Sequence, residues 1–259
     1  MYRLFVSDFD GTLLDSDEAI PLSTMVEIDR IRRDGVKFAV ASDRILKSVL
    51  DYNRDFPFLD YVISCDGAYV YDVVHRKALL KKPLQVSIIK KIKKLYSNCE
   101  LYLDTVQEKY LCKNDIVYSE IKNCRISFSE FYEAHKNLIY QLEIKFFTKK
   151  DRDNAFRELE ELQLKAHFMK KDQKKDYRII IVSNDSSKVF GLEKICKKEH
   201  LSLEQVVYVG DDEEDIPILL SVGQSAVVSN GSKKAKKVAN VQTSSNETKG
   251  VEKVIKKLF

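Results

Sequence analysis

The sequence has few of the residues that cross-link a chain or cluster around zinc. Its five cysteines and four histidines are scattered, the cysteine number is odd, and no two cysteines have C-x-x-C spacing. This pattern favours neither a disulfide framework nor a zinc site. The residues concerned are Cys65, Cys99, Cys112, Cys124, Cys196, His75, His135, His167 and His200.

Long apolar runs are also missing. The run near the start, Leu4–Val6, is short, and no stretch approaches the roughly 20 apolar residues that cross a bilayer. Internal repeats and low-complexity tracts are absent from the sequence as well. We therefore expect a reduced, cytoplasmic protein with no membrane partner.

A strong excess of one charge is the third absence. The 44 Lys and Arg residues nearly balance the 40 Asp and Glu residues, and 44% of the chain is hydrophobic, which is typical of a globular protein. Three lysine clusters could bind a polyanion, but no aromatic residues interleave them, which favours solvated surfaces over nucleic-acid binding. These clusters are Lys90–Lys94, Lys170–Lys175 and Lys233–Lys237.

Both ends of the chain have the pattern of a parallel α/β sheet. Short apolar strands are predicted at Tyr2–Val6, Val36–Ala41, Tyr61–Ser64 and Val206–Val209, and helices at Thr24–Asp34 and Lys188–Glu199. Thr24 and Glu27 have the spacing of a capping box, and Gly35 supplies a helix stop.

The middle of the chain has a different pattern. Alternating strands are predicted at Glu100–Leu111 and Tyr140–Phe147, with a helix at Asp153–Gln163. We therefore predict a Rossmann-like parallel-sheet core domain, residues 1–83 and 181–259, with an inserted α+β domain, residues 84–180. Pro83 and the polar stretch Lys170–Lys175 are the expected junctions.

Two carboxylates, Asp8 and Asp10, follow the first strand. Open α/β sheets bind ligands at the carboxyl ends of their strands, so both are candidates for chemistry. One carboxylate can attack phosphorus to form an aspartyl phosphate, while the other serves as acid and then as base. A lone D-x-D pair also occurs in structural turns, so the order of the other motifs carries the argument.

A carboxylate that approaches a phosphate needs a cation to offset the repulsion, and Mg²⁺ suits oxygen ligands. The acidic turn Gly210–Asp215 directly follows a predicted strand, and within it Asp211 is the first candidate ligand and Asp215 the second. We interpret Asp212 and Glu213 as exposed turn residues.

Ser42 ends the second predicted strand, and Lys188 begins a helix whose N-terminal amides favour anions. Both are candidates to hold phosphoryl oxygens. Arg44 could contact substrate or pair with an acid such as Asp43.

Four segments in this order, DFDGT, ASDR, SSK and GDDEED, span almost the whole chain and resemble the motifs of the haloacid dehalogenase superfamily. The insert resembles the type IIB cap of the Cof-like sugar-phosphate phosphatases. The resemblance implies a Mg²⁺-dependent phosphatase acting on small phosphorylated metabolites, with substrate specificity in the cap.

The resemblance also implies a role for each matching residue. Asp8 is the nucleophile and a metal ligand, and Asp10 is the general acid and base and lends its backbone carbonyl to the metal. Asp211 is a metal ligand and Asp215 supports the metal. Phosphate is bound by Ser42, Lys188 and Asn230.

Three positions depart from the family pattern by adding a carboxylate: Asp43, where Gly is usual, and Asp66 and Glu214, where Asn is usual. If they face the site, they disfavour anionic leaving groups or raise neighbouring pKa values.

Two other functions stay open on the sequence alone. A phosphosugar mutase would need a second phosphate site in the insert, and no paired Arg cluster there suggests one. A non-catalytic sensor of a phosphorylated ligand is the other, and the complete set of Asp8, Asp10, Lys188 and Asp211 argues against it.

Overall fold

A computed structural model describes residues 1–119, 121, 124–169 and 177–259. The chain forms two compact units. The first comprises Met1–Arg44, Val49–Leu80 and Ser187–Phe259, and the second comprises Ile45–Ser48 and Lys81–Ser186. The predicted junction Lys170–Lys175 lies outside the described residues.

The described strands, in chain order, are β1 (Leu4–Asp8), β2 (Lys37–Ala41), β3 (Tyr61–Ser64), β4 (Tyr69–Asp72), β5 (Lys77–Lys81), β6 (Glu100–Asp104), β7 (Lys109–Lys113), β8 (Ile116–Ser119), β9 (Cys124–Ser127), β10 (Gln141–Phe146), β11 (Ala166–Phe168), β12 (Tyr177–Val182), β13 (Val206–Gly210), β14 (Gln224–Val227) and β15 (Val241–Gln242). The described α-helices are α1 (Leu22–Arg33), α2 (Leu46–Tyr52), α3 (Val86–Leu95), α4 (Phe128–His135), α5 (Lys149–Glu161), α6 (Lys188–Glu199), α7 (Ile216–Leu219), α8 (Lys233–Val238) and α9 (Gly250–Leu258).

The first sheet has the order β15-β14-β13-β1-β2-β3-β4-β5. The pairs from β15 to β3 are parallel, and β4 pairs antiparallel with β3. Every residue of β1 and β13 is buried, as expected for central parallel strands that are covered on both faces. The predicted parallel α/β core is therefore confirmed.

Strand register sets where the site lies. Asp8, the last residue of β1, pairs with Ala41, the last residue of β2, and Ser7 pairs with Val209. Parallel strands aligned in this way end at one edge of the sheet. The residues that follow each strand, among them Ser42 and Asp211, are thereby brought beside Asp8.

The second sheet has the order β11-β12-β10-β6-β7-β8-β9, and its described pairs are antiparallel. Its strands alternate: Leu101 and Leu103 of β6 and Leu142 and Ile144 of β10 enter a hydrophobic core, while the residues between them point to the other face. That other face carries polar side chains, among them Glu143.

Several predicted boundaries differ from the structure. Helix α1 begins at Leu22, immediately after Pro21, and the Thr24 hydroxyl is buried inside the helix without a hydrogen-bond partner. The predicted capping box is therefore wrong: Pro21, rather than Thr24, holds the N-cap position. The predicted strand Glu100–Leu111 is two strands, β6 and β7, separated by a turn in which the Thr105 hydroxyl binds backbone of Glu108.

Other elements are longer or shifted. Strand β1 continues to Asp8, and helix α5 begins at Lys149 because the Thr148 hydroxyl caps it by accepting from the Asp151 amide. The predicted domain boundary at 180/181 cuts strand β12, all of whose residues pair with β10. Local pattern does not reveal which sheet a strand joins, and the tertiary pairing decides it.

Within the part of the chain that the structure describes, a helix with the length and apolarity needed to cross a membrane does not occur.

Candidate active site

Asp8 stands at the end of β1, buried, where the chain turns sharply through Phe9–Leu13. The Leu14 amide closes this turn on the Phe9 carbonyl at 2.9 Å. Gly11 has φ +76°, and a Cβ atom added there would lie 2.9 Å from Asp211 Oδ2. Glycine at position 11 therefore suits the positive φ of the turn, and the contact with Asp211 involves only the end of that side chain.

Three carboxylates meet at this edge. Asp8, Asp211 and Asp215 each offer an oxygen within 4.8 Å of the other two. Asp8 and Asp215 are buried, and Asp211 is half-buried. The Thr12 hydroxyl donates to Asp211 Oδ1 at 3.3 Å, which ties the turn after β1 to the turn after β13.

Lys188 places its ammonium among these carboxylates. Its Nζ lies 2.7 Å from Asp8 Oδ1 and 2.7 Å from Asp215 Oδ1. The Ser187 hydroxyl caps helix α6 by accepting from the Phe190 amide, so Lys188 projects from the first turn of a capped helix. Burial alone would lower the pKa of Lys188, but Asp215 and Asp8 outweigh it and hold this pKa well above its ordinary value.

Asp215 organises the acidic turn. Its Oδ1 accepts from Tyr208 at 2.8 Å as well as from Lys188, and its Oδ2 accepts from the amides of Asp211 and Asp212 at 3.0 and 3.2 Å. Burial, reinforced by Asp215, raises the pKa of Tyr208 well above its ordinary value, so the hydroxyl stays a donor. Asp215 thus orients both the Asp211 loop and Lys188.

Ser42 lies directly after β2 and is buried. Its Oγ accepts from the Arg44 amide at 3.0 Å, and its carbonyl accepts from the Asp66 amide at 3.1 Å. The Ser42 hydroxyl is therefore fixed within the same loop that carries Arg44.

The loop after β3 has an uncommon backbone. Cys65, Asp66 and Gly67 have φ of +48°, +49° and +85°, three successive residues in the left-handed region. A Cβ atom at Gly67 would lie 2.1 Å from the Ser187 carbonyl oxygen. This strained loop therefore packs directly on the start of α6 and connects the Ser42 loop with Lys188.

The Asp10 carboxylate forms an ion pair with Arg44. Arg44 Nε donates to Asp10 Oδ2 at 2.8 Å and Nη2 donates to Asp10 Oδ1 at 2.7 Å. Of the two roles that the sequence leaves open for Arg44, pairing with an acid occurs, with Asp10 as the partner rather than Asp43. The Asp10 carboxylate is not one of the three acids that could share a metal; its predicted metal contact is the backbone carbonyl.

Asn230 is exposed and binds backbone at both ends of its amide. Its Nδ2 donates to the Gly11 carbonyl at 2.7 Å, and its Oδ1 accepts from the Asn246 amide at 3.0 Å. The structure thus places Asn230 against the turn that follows Asp8. Its part in phosphate binding stays a prediction.

The structure brings together Asp8, Lys188, Asp211 and Asp215, and it places Ser42 and the Asp10–Arg44 pair on the adjoining loops. Sequence reasoning gave no role to Thr12 or Tyr208, and it gave Arg44 no definite partner. Tyr208 had no sequence signal, because an aromatic residue in a buried strand is indistinguishable from core packing.

The three added carboxylates occupy different environments. Asp66 is buried and contributes to raising the pKa of Lys188, and Asp43 accepts from the Ser42 hydroxyl at 3.4 Å. Glu214 is half-buried in the acidic turn. Glu213 is exposed and pairs with Lys234 at 2.8 Å, whereas the half-buried Asp212 carboxylate accepts from the Glu213 amide.

Comparison with solved structures identifies the fold. A haloacid dehalogenase-like hydrolase from B. subtilis superposes with a TM-score of 0.81 at 20% identity, covering 99% of this chain and 100% of that one. The subclass IIB sugar phosphatase BT4131 superposes with a TM-score of 0.75 at 18% identity, covering 98% of each chain. The fold is therefore that of the haloacid dehalogenase-like hydrolases.

The sequence comparison then defines the family. Residues 5–255 match the model of the haloacid dehalogenase-like hydrolases, so the chain belongs to that family. The phosphatase YitU of Bacillus subtilis, named for 5-amino-6-(5-phospho-D-ribitylamino)uracil, is 22% identical over 99% of this chain and 97% of its own. The predicted enzyme class, a hydrolase whose relatives are phosphatases, is confirmed.

Proposed function

We propose that this protein is a Mg²⁺-dependent phosphatase that hydrolyses small phosphorylated metabolites through an aspartyl phosphate on Asp8. One observation carries the proposal: the Asp8 carboxylate lies within 4.8 Å of two further carboxylates and 2.7 Å from a buried ammonium, at the carboxyl edge of the sheet. Such an arrangement offers a nucleophile, a cation site and a phosphate-binding cation together.

The donor set suits magnesium. Asp8, Asp211 and Asp215 offer carboxylate oxygens, which hard divalent cations prefer, and the proposal adds the backbone carbonyl of Asp10. Asp8 and Asp211 would bind the ion, and Asp215, already occupied by four donors, would orient Asp211. When bound, Mg²⁺ offsets the repulsion between the Asp8 carboxylate and the negative phosphate.

In the first step, an Asp8 carboxylate oxygen forms a bond to phosphorus while the bond from phosphorus to the ester oxygen breaks. Asp10 gives its proton to the departing oxygen, which leaves as an alcohol. In the second step, Asp10 takes a proton from water, the water oxygen attacks phosphorus, and the bond between Asp8 and phosphorus breaks. Inorganic phosphate is released, and Asp8 and the protonated Asp10 are regenerated.

Lys188 and Ser42 would hold the non-bridging oxygens of the phosphoryl group. Lys188 is already aimed at Asp8, and Ser42 is fixed on the adjacent loop. Positive charge and hydrogen-bond donors at these oxygens stabilise the charge that redistributes in the transition state. Asn230 would support the same pocket by holding the Gly11 carbonyl.

Sugar phosphates and similar phosphorylated polyols are the proposed substrates. Two relatives support this class: one is named for a phosphoribitylamino compound, and a structural neighbour is described as a sugar phosphatase. In the proposal, the first structural unit is the hydrolase core and the second is the inserted cap that selects the leaving alcohol.

Phosphate release from a panel of sugar and polyol phosphates, with Mg²⁺ and with EDTA, tests the proposal. The wild type should release phosphate only with the metal, and Asp8→Asn should lower kcat by about 10³-fold or more. Circular dichroism of Asp8→Asn would show that the fold is kept. No release from any ester of the panel would refute the phosphatase assignment.

The metal assignment has a matched control within one turn. Asp211→Asn should raise the Mg²⁺ concentration needed for half-maximal activity by about tenfold or more, while Asp212→Asn should not change it. Equal effects of the two variants would contradict Asp211 as a ligand. Phosphate release from a monophosphate without a bisphosphate activator would distinguish hydrolysis from mutase activity, and turnover would exclude a purely sensory role.

A further inference from the structure

The guanidinium of Arg44 donates a hydrogen bond to each carboxylate oxygen of Asp10. The two donor–acceptor distances are 2.8 and 2.7 Å, the two-pronged geometry in which Arg holds a carboxylate plane most firmly. Asp10 lies in the irregular turn after β1, next to Gly11 at φ +76°, where regular hydrogen bonding does not fix side-chain direction. The orientation of the Asp10 carboxylate therefore depends on Arg44.

Arg44 is itself held from several sides. Its guanidinium carbon lies 5.5 Å from the Phe9 ring centre and 5.8 Å from that of Tyr52, and its Nη1 donates to the Tyr52 hydroxyl at 3.4 Å. Its amide donates to Ser42 Oγ, and its carbonyl accepts from the Cys65 amide. Arg44 is thus a fixed element rather than a mobile surface side chain.

Holding Asp10 in this way leaves it able to transfer a proton. A carboxylate has about four lone-pair sites, and the two N–H groups of Arg44 occupy one on each oxygen. The Asp10 side chain remains partly exposed, at 18% of its surface. A proton can therefore pass between Asp10 and a leaving oxygen while the carboxylate plane is held still.

We propose that Arg44 is a positioning residue for proton transfer: it fixes the Asp10 carboxyl group in the place from which Asp10 protonates the departing ester oxygen. This inference rests on the proposed function, in which Asp10 is the acid and base. Misplacement of a catalytic group by about 1 Å costs about 10²-fold in rate, so the loss of Arg44 should be visible in kcat/KM for an ester whose leaving group needs a proton.

The leaving group provides a readout that a purely structural role would not change. An alkyl phosphate such as glycerol phosphate needs a proton on the departing oxygen, whereas p-nitrophenolate leaves without one. Arg44→Gln should lower kcat/KM, which reports only the steps up to release of the leaving group, by about 30-fold on glycerol phosphate and by less than about threefold on p-nitrophenyl phosphate. Asp10→Asn should show the same selectivity with a larger loss, about 10³-fold on the alkyl ester.

The chain offers a matched control. Arg32 binds Asp60 with the same two-pronged geometry, at 3.0 and 3.2 Å, on helix α1 of the same unit. Arg32→Gln removes an equivalent ion pair and should leave the ratio of the two kcat/KM values unchanged. Arg44→Lys, which keeps the charge but not the two-pronged geometry, should fall between the wild type and Arg44→Gln.

A double variant completes the test. In the Asp10→Asn background, Arg44→Gln should cause no further loss on glycerol phosphate, because Arg44 acts through Asp10. Equal losses of kcat/KM on both esters, a rise in KM at unchanged kcat, or additive losses in the double variant would each overturn the inference while the phosphatase activity stands. If the wild type releases phosphate from no ester of the sugar and polyol phosphate panel, the proposed function fails and the inference fails with it.

Discussion

Two clusters of charged side chains, one in each unit, differ in their ratio of acids to cations. The site cluster consists of Asp8, Lys188, Asp211 and Asp215 at the ends of parallel strands. The sheet cluster consists of Asp104, Lys109, Glu143 and Arg178 on neighbouring antiparallel strands of the second unit. The first has three acids for one base, and the second has two of each.

The ratio of acids to cations distinguishes the proposed site from the sheet cluster. In the sheet cluster, Glu143 binds both Lys109 and Arg178, and Asp104 lies 3.7 Å from Lys109, so each acid has a cation within 4 Å. The site cluster keeps an excess of two negative charges, which its own Lys188 cannot neutralise. This excess of carboxylates supports the proposed cation site, and the sheet cluster has no such excess.

Removing the cation from each cluster tests this difference most strongly. Lys188→Met should lower kcat by about 10³-fold, because the phosphoryl oxygens and Asp8 lose their ammonium. Lys109→Met should change kcat by less than about threefold and lower the free energy of unfolding by about 1 kcal/mol, because Arg178 still pairs with Glu143. Steady-state kinetics and urea unfolding measure both; a comparable loss of kcat in the two variants would erase the distinction.

The site cluster also depends on close backbone contact, which a pair of glycines can test. Gly67→Ala should lower the free energy of unfolding by about 3 kcal/mol and reduce kcat, because the new methyl group would meet the Ser187 carbonyl at the start of α6. Gly35 has a similar φ, +84° against +85°, but a methyl group added there would meet no atom within 4 Å. Gly35→Ala should therefore cost only about 1 kcal/mol of left-handed strain and leave kcat unchanged. Equal costs would show that the contact with Ser187 does not matter.

The sheet cluster should reveal itself in the pH dependence of stability. Burial, and then Glu143, raise the pKa of Asp104 well above its ordinary value. The folded state therefore holds the Asp104 proton more tightly than the unfolded state does. The contribution of Asp104 to the free energy of unfolding is greatest below about pH 4 and is lost as pH rises through the raised pKa. Asp104→Asn should be more stable than the wild type at pH 7 by about 1 kcal/mol, and this gain should vanish near pH 4.

Glu143→Gln is the control with the opposite sign. Burial alone would raise the pKa of Glu143, but Lys109 and Arg178 outweigh it and lower this pKa. The stability that Glu143 supplies is present at neutral pH and is lost as pH falls through the lowered pKa. Glu143→Gln should therefore be less stable than the wild type at pH 7, with the deficit shrinking in acid. Urea unfolding of both variants from about pH 2 to pH 8 extends below the unfolded-state pKa of Glu, about 4.3, and measures this; parallel profiles would contradict the assignment.

The smallest expected effects on kcat and on the free energy of unfolding follow from removing one tyrosine hydroxyl in each unit. Tyr208→Phe removes a donor from Asp215, which keeps Lys188 and two amides, so kcat should fall by no more than about fivefold and unfolding should cost about 1 kcal/mol. Tyr96→Phe removes a similar bond to Glu158, at 2.7 Å, and should leave kcat unchanged. A larger kcat loss for Tyr96→Phe than for Tyr208→Phe would reverse the comparison.

Elements with strong local signals were predictable. Strand β3 at Tyr61–Ser64 and helix α6 at Lys188–Glu199 lie at the predicted residues, since an apolar run and a helical period are properties of adjacent residues. The predicted start of α1 was wrong. Thr24 and Glu27 have capping-box spacing, but Pro21 is the N-cap and the helix begins at Leu22. Spacing alone does not show whether a hydroxyl is free to cap or buried inside.

The candidate site was predictable in part for the same reason. Asp8, Asp211 and Lys188 stand at the ends or starts of elements that local pattern reveals, and motif order implied that they meet. Three contacts have no local signature in the sequence: Arg44 binds Asp10, Tyr208 donates to Asp215, and Gly67 packs on Ser187. Each joins residues from separate elements, at distances that only the packed chain defines.

The sequence by itself determined a parallel α/β core with acids following its central strands, because strand length, apolar runs and chain order are local properties. The tertiary structure decided which oxygens share a cation, which carboxylate Arg44 holds, and which sheet receives β12. The physical reason is that hydrogen bonds and ion pairs depend on tenths of an ångström between segments far apart in the chain, and this precision arises only when the core packs.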